Sequence, residues 1–188
     1  MTKNMMLVGV GGQGTLLASR LLGTVLTNNG FDVKVSEVHG MSQRGGTVVT
    51  YVRYGDCVRA PLVEIGEADA IVAFEALEAA RFLPYLKRDG VLVANTQQIA
   101  PMPVITGAMA YPKDVLEEVG AHCRLIAVDA LTPAKQAGSA KAVNIVLMGV
   151  LSNHMEFPAS DWQAALNAVV KPQYLALNQT AFELGRAL

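Results

Sequence analysis

Charge and cysteine are both scarce in this sequence. Only 16% of its 188 residues are charged, against 52% hydrophobic, and mean hydropathy is +0.32. A soluble domain ordinarily carries about 25% charged residues, so the chain must either cross a membrane or hide apolar area against a partner. No stretch supplies the roughly 20 consecutive apolar residues of a spanning helix. Residues 142–155 are charge-free but hold Asn144, Asn153 and His154, while residues 90–112 are broken by Asn95, Gln97, Gln98, Pro101 and Pro103. The chain runs straight into a strand pattern with no cleavable leader pattern, so the expectation is a cytoplasmic protein built into an assembly. Cys57 and Cys123 stand alone, with no CxxC pair. That spacing argues against an iron–sulfur or zinc site held by this chain by itself. The net charge of −1, with Lys and Arg scattered, leaves no footprint for a nucleic acid.

What is present is an alternation of strand and helix patterns. Residues 4–10 read as a buried strand. Residues 13–28 place Leu16, Leu17, Leu21, Leu22 and Val25 at helical spacing, closed by Gly30, and residues 32–38 form a second strand. Further strands are predicted over 46–54, 70–74, 91–95 and 124–128. Helices are predicted over 75–86, with a turn at 87–90, and from Tyr111-Pro112 to about Gly120. The last third is helical: 140–151 is apolar nearly all round and so buried on several sides. Ser160-Asp161-Trp162-Gln163 fits a capping box before the next helix, and Lys171-Pro172 separates that helix from one reaching Ala187. With no repeat or linker, the expectation is a single domain over 1–188. Its fold class is α/β: a doubly wound, mostly parallel sheet, Rossmann-like, with helices on both faces and a helical C-terminal third.

Two segments carry chemistry. In Gly9-Val10-Gly11-Gly12-Gln13-Gly14 the glycines Gly9, Gly11 and Gly14 have G-x-G-x-x-G spacing between a strand and a helix. Missing Cβ atoms let backbone approach an anion, and free N–H groups with the helix dipole attract it. Glu37 ends the second strand 23 positions after Gly14, where a ribose-binding acid would sit. A nicotinamide dinucleotide therefore stays open, and so does the plainer reading in which the glycines only allow close helix–strand packing. The second segment, His39-Gly40-Met41-Ser42-Gln43-Arg44-Gly45-Gly46, tells against the dinucleotide. A parallel crossover needs about a dozen residues or more, and none fit between Val38 and Gly46. The strand at 46–54 is thus expected to be antiparallel or an edge addition. Arg44 beside Gly45 and Gly46 suits a phosphate or carboxylate held in a bidentate fork, although an arginine in a turn can simply be solvated.

The remaining candidates are weaker. His39 and His154 have no triad-like partners and read as structural or interface histidines, and His122 as exposed at a helix end. Glu75 and Glu78 could reach the crevice beyond the strand ends, but acids are common in first helical turns. Asn144 in an apolar helix must be hydrogen-bonded, anchoring a loop or a partner. Met5, Met6, Met41, Met102, Met109 and Met148 read as core and interface filler.

The run Gly-Val-Gly-Gly-Gln-Gly, followed by Ser36-Glu37-Val38-His39-Gly40-Met41-Ser42-Gln43-Arg44-Gly45-Gly46, resembles the gamma-type domain of the 2-oxoacid:ferredoxin oxidoreductases. The second run is similar to that of members acting on indolepyruvate, whereas pyruvate and ketoisovalerate members usually show Pro-Glu-x-Arg-Gly-Gly. Asn144 to Gly149 also looks like a family segment, and the likeness spans essentially the whole chain. The resemblance implies CoA-dependent oxidative decarboxylation of a 2-oxoacid, giving acyl-CoA, carbon dioxide and reduced ferredoxin. It implies thiamine diphosphate, Mg and iron–sulfur clusters on a larger partner subunit, with ferredoxin meeting the complex and this chain not active alone. It further implies an anion, coenzyme A among the choices, near Gly9, Gly11, Gly12, Gln13 and Gly14, and a second near Met41, Arg44, Gly45 and Gly46, with Arg44 the candidate catalytic residue. The surplus of apolar surface also leaves room for a homodimer when the chain is isolated.

Overall fold

The protein is described from a computed structural model covering residues 1–39 and 46–188. Six strands form one sheet: β1 (Lys3–Val10), β2 (Asp32–His39), β3 (Thr47–Gly55), β4 (Ala68–Ala73), β5 (Leu86–Asn95) and β6 (Arg124–Val128), in the order β2-β3-β1-β4-β5-β6. Pairs β1–β4, β4–β5 and β5–β6 are parallel, and β3 runs antiparallel to both neighbours. The doubly wound α/β expectation holds, with one strand reversed.

The strand at 46–54 is antiparallel as expected, but it is no edge addition. It folds back from β2, pairing Asp32 with Gly55 and His39 with Val48, and wedges between β2 and β1. Its composition explains the placement, since Val48, Val49, Thr50 and Val52 are all buried. A strand apolar on both faces needs cover on both, which an inner position provides. The less buried β2, with Val35 and Val38 exposed, takes the edge. The expected turn at 87–90 is also corrected. These residues lie inside β5 as an irregularity, where the β4 register jumps from Ala68↔Leu86 to Ala70↔Val91. Three extra residues on β5 bulge outward instead of ending it.

The period-two alternation of β1 feeds two cores. Met5 and Leu7 join the larger one, beneath α1 (Thr15–Asn28), α5 (Leu131–Gln136), α6 (Val143–Ser152), α7 (Ala159–Val169) and α8 (Pro172–Arg186). Met6 and Val8 join the smaller one, beneath α2 (Ala76–Phe82) and α4 (Val115–Gly120). A short α3 (Met102–Ile105) and the helix α5 escaped the sequence reading, because four- and six-residue helices show no periodicity. Helix α4 starts at Val115, later than Tyr111-Pro112. The capping box at 160–163 is absent: α7 opens two residues earlier behind Pro158, and Ser160 Oγ donates to Asp161 instead. No helix among the described residues is long and apolar enough to cross a membrane.

Every residue of α6 is buried, in agreement with its pattern. It can be so enclosed because it meets α8 at two facing glycines. A Cβ on Gly149 would stand 2.2 Å from Phe182 O, and one on Gly185 2.0 Å from Val146 O. Gly149→Ala must therefore push the two helices apart. The expected cost is about 1–3 kcal/mol of unfolding free energy, as for other overpacked cores, read from the urea midpoint at unchanged m-value.

Candidate functional site

In a doubly wound sheet the ligand crevice lies beyond the carboxyl ends of the strands, where the strand order reverses. Here that point falls between β1 and β4, with the Gly11–Gly14 turn on one lip and Phe74-Glu75 on the other. The sequence sets Gln13 at the turn, and its side chain folds back over the strand ends. Gln13 Oε1 accepts from Val10 N at 2.9 Å and Gln13 Nε2 donates to Phe74 O at 2.9 Å. The same carbonyl accepts from Asn95 Nδ2 at 3.2 Å, and Asn95 Oδ1 accepts from Ala130 N at 3.2 Å. Two amide side chains thus lock the ends of β1, β4 and β5 and the chain beyond β6 to one carbonyl oxygen.

This arrangement divides the glycines into two kinds. Gly9 serves packing, since a Cβ there would lie 2.6 Å from Gln13 Oε1 and 3.0 Å from Phe74 Cβ. Gly14 caps α1 in the left-handed region, at φ 78°, and a Cβ would lie 2.6 Å from Asn144 Nδ2. Asn144 explains itself here, because its Nδ2 donates to Gly14 O at 3.0 Å and its Oδ1 accepts from Ile145 N. Gly11 donates its N–H to Gly46 O at 2.9 Å. Gly12, at φ 97°, has nothing within 4 Å of where a Cβ would go. Among the described residues the N–H groups of Gly12 and Gly14 have no hydrogen-bond acceptor. Among the described residues of the turn, then, Gly12 and Gly14 keep unbonded N–H groups, whereas Gly11 N–H and the Gln13 side chain are bonded within the protein and Gly9 is packed against it. Gly46 sits beside them as Gly11's partner. Met41, Arg44 and Gly45 lie outside the described residues.

Glu37 belongs to β2, which the inserted β3 separates from β1. With strands about 4.8 Å apart, it stands about 10 Å from β1 and not 5 Å. It accepts from Ser19 Oγ at 3.0 Å. That displacement removes the geometric ground for a ribose-binding acid. Glu75 and Glu78, by contrast, reach the crevice rim and are both buried. Glu75 caps α2: its Oε2 accepts from Glu78 N at 3.0 Å, and its Oε1 accepts from Ile99 N at 3.0 Å and from the Tyr111 hydroxyl at 2.5 Å. Burial and the neighbouring carboxylate push the Tyr111 phenol well above its ordinary range. Glu78 Oε1 accepts from Arg81 Nε and Thr47 Oγ1, while its Oε2 is buried with no partner among the described residues. Burial raises the Glu78 carboxyl, with Arg81 and Thr47 pulling the other way. The sequence marked Asn95 and Gln97 only as breaks in an apolar run, and a polar residue closing a buried strand was the available signal.

A cavity of about 730 Å³ opens at the other end of the sheet. It is lined by Lys3, Asp69, Asp89, Arg124, His154 and Phe157, of mixed charge, and lies against the amino ends of the parallel strands. His154 sits there, its imidazole lowered by burial and by Arg124, away from the glycine turn. His122 is exposed, as expected. Cys57 and Cys123 are free thiols, and no group of three or more His, Cys, Asp or Glu among the described residues could hold a metal.

Comparison with known proteins agrees with this architecture. The family model described as pyruvate ferredoxin/flavodoxin oxidoreductase matches residues 4–188. The chain is 42% identical to indolepyruvate oxidoreductase subunit IorB of Thermococcus kodakarensis, across 97% of this chain and 93% of that one. Its fold is that of pyruvate oxidoreductase subunit PORC from Thermotoga maritima, with TM-score 0.76, 19% identity, and coverage of 99% and 96%. It also matches, at TM-score 0.74 and 18% identity, a 2-oxoglutarate:ferredoxin oxidoreductase from Magnetococcus marinus, covering 99% of this chain but 30% of that longer one.

The contact between Gly14 and Asn144 gives a direct check on the turn. Gly14→Ala should destabilise the fold by more than the roughly 1 kcal/mol that a left-handed backbone costs a residue with a Cβ, because the new methyl meets Asn144. In an Asn144→Ala background the same change should cost only the backbone share. A double-mutant cycle by urea unfolding should therefore show coupling of about 1 kcal/mol or more. Strict additivity would mean that the two residues do not meet.

Proposed function

We infer what this chain does from the family to which it belongs: it is a pyruvate ferredoxin/flavodoxin oxidoreductase family member and a subunit of a 2-oxoacid:ferredoxin oxidoreductase. We propose that its complex takes arylpyruvates, indolepyruvate foremost. The observation that carries this is the 42% identity to a subunit named for indolepyruvate, sustained over 97% of the chain. The reaction joins a 2-oxoacid, coenzyme A and oxidised ferredoxin to give acyl-CoA, carbon dioxide and reduced ferredoxin. Thiamine diphosphate with Mg, proposed for the larger companion subunit, supplies a sink for the electron pair left when carbon dioxide departs. Iron–sulfur clusters are proposed for the same companion, where they would supply the electron path to ferredoxin, and coenzyme A is proposed to reach the shared site beside the glycine turn.

This chain's own residues bind and orient. The Gly12 and Gly14 N–H groups, which find no acceptor among the described residues and lie at a helix N-terminus, fit a phosphate of coenzyme A. Asn144 and Gln13 hold the turn that presents them. Arg44, whose role rests on the sequence, is proposed to add a charged fork for a second anion, with Met41, Gly45 and Gly46 shaping that loop. A nicotinamide dinucleotide would need an acid at the end of the strand next to β1, and that neighbour is β3.

The test is reconstitution. Purified from its native host, the chain should bring with it a large thiamine- and cluster-bearing companion, and the complex should reduce ferredoxin with indolepyruvate and coenzyme A. The chain alone should show no turnover. Unaided oxidation of a 2-oxoacid by the pure chain would overturn the reading. In the complex, Arg44→Ala should raise KM for coenzyme A or the 2-oxoacid about tenfold to hundredfold, the size of a lost charged hydrogen bond of about 1.5–3 kcal/mol. Unchanged kinetics would remove the arginine loop from the site.

A further inference from the structure

Between β5 and α4 the chain leaves the sheet and returns, and both ends of that excursion close on one atom. Glu75 Oε1 accepts from Ile99 N at 3.0 Å and from the Tyr111 hydroxyl at 2.5 Å, so residues 99–111 form a strap stapled at its base by a buried carboxylate. Within it the backbone satisfies itself: Val104 N and Ile105 N donate to Pro101 O, Thr106 N to Met102 O, and Met109 N to Pro103 O. Such a loop, ends together and internally bonded, is a built element. Its outward side chains are apolar. Met102 is 66% exposed, Ile105 66% and Met109 65%. The 23 residues from Gly90 to Pro112 hold no charge, where about five or six would be ordinary for that length. A contiguous apolar projection on a charge-poor surface marks a contact site.

We propose that this strap is the apolar anchor by which the chain docks on its companion subunit. There Met102, Ile105 and Met109 would enter an uncharged pocket beside the shared site. The proposal rests on the reading of the chain as one subunit of a 2-oxoacid oxidoreductase. Position selects the companion over a second copy of this chain. The strap leaves from the carboxyl end of β5, the sheet end that carries the Gly11–Gly14 turn. Self-association through it would close that end against its own copy and exclude the subunit that must share it. The ordered backbone suits an anchor, because little conformational freedom is lost on docking. Two methionines give it the adaptable, polarizable tips found at binding surfaces.

The experiment uses the full chain and its companion, with affinity measured by sedimentation or surface binding. Ile105→Glu and Met109→Glu should each weaken assembly by about a hundredfold or more, since each would bury an unpaired charge. Met109→Gln, gentler on the fold, should weaken it about tenfold. The thermal midpoint of each isolated variant should match the wild type, because these side chains touch solvent there. Ile65→Glu, equally exposed but at the amino end of β4, should leave affinity within about threefold. At saturating chain concentration kcat should recover, which separates docking from chemistry. Wild-type affinity in all three strap variants would overturn the proposal. So would loss of a homodimer in these variants with the companion still bound. A wild-type chain that binds the companion, in a complex that oxidises no 2-oxoacid, would sink the functional reading while leaving the docking surface standing.

Discussion

The carbonyl oxygen of Phe74 is the point on which the site depends. It leaves the end of β4 between the amides of Gln13 and Asn95, which donate to it at 2.9 and 3.2 Å. Each amide also takes a backbone N–H through its own oxygen, from Val10 and from Ala130. Four chain segments that would otherwise fray at the strand ends are thereby joined with no ion and no charge. A polar network of this kind is stabilising only when fully satisfied, and here every amide oxygen and nitrogen has a partner. Its demand for space fixes Gly9, since a Cβ there would displace the Gln13 oxygen. It also decides which donors of the glycine turn remain for a ligand.

Inserting β3 between β1 and β2 is the second constraint. It turns a β-α-β unit into one whose two parallel strands no longer touch, and it carries Glu37 a full strand away from the turn. A fold that shares its glycine spacing with dinucleotide-binding proteins thereby loses the geometry for gripping a ribose. What remains is a helix N-terminus with two N–H groups that no described residue accepts. Such a terminus can hold a phosphate but supplies no redox chemistry, as befits a subunit whose electron carriers are proposed to lie elsewhere.

Much of this was legible in the residues. Strands with buried β-branched runs and helices of ten residues or more declared themselves by period, and the short distance between Val38 and Gly46 forced an antiparallel return. The apolar α6 and its buried Asn144 were visible too, though not the partner, because Gly14 lies 130 positions away. Illegible were features set by tertiary contact. The place of β3 inside the sheet, the bulge at 87–90, and the one-turn helix α3 depend on neighbours that no local pattern names. Glu75 looked like an ordinary first-turn acid, since nothing nearby in sequence announces Ile99 and Tyr111 as its partners. The glycine motif was legible as a turn but ambiguous in purpose. The filled space around Gly9, against the open space at Gly12 and the N–H groups of Gly12 and Gly14 that no described residue accepts, separates the packing position of the turn from those free to face a ligand.

Backbone amide NMR of the ¹⁵N-labelled chain during titration with coenzyme A tests the central claim most directly. The claim is that the amide lock leaves Gly12 and Gly14 as the open donors of the turn. The Gly12 and Gly14 N–H resonances should move together and saturate, while Gly11 N–H and the Gln13 side-chain amide, both already bonded within the protein, stay in place. Saturable shifts at Gly11 and Gln13, or none at Gly12 and Gly14, would contradict the account.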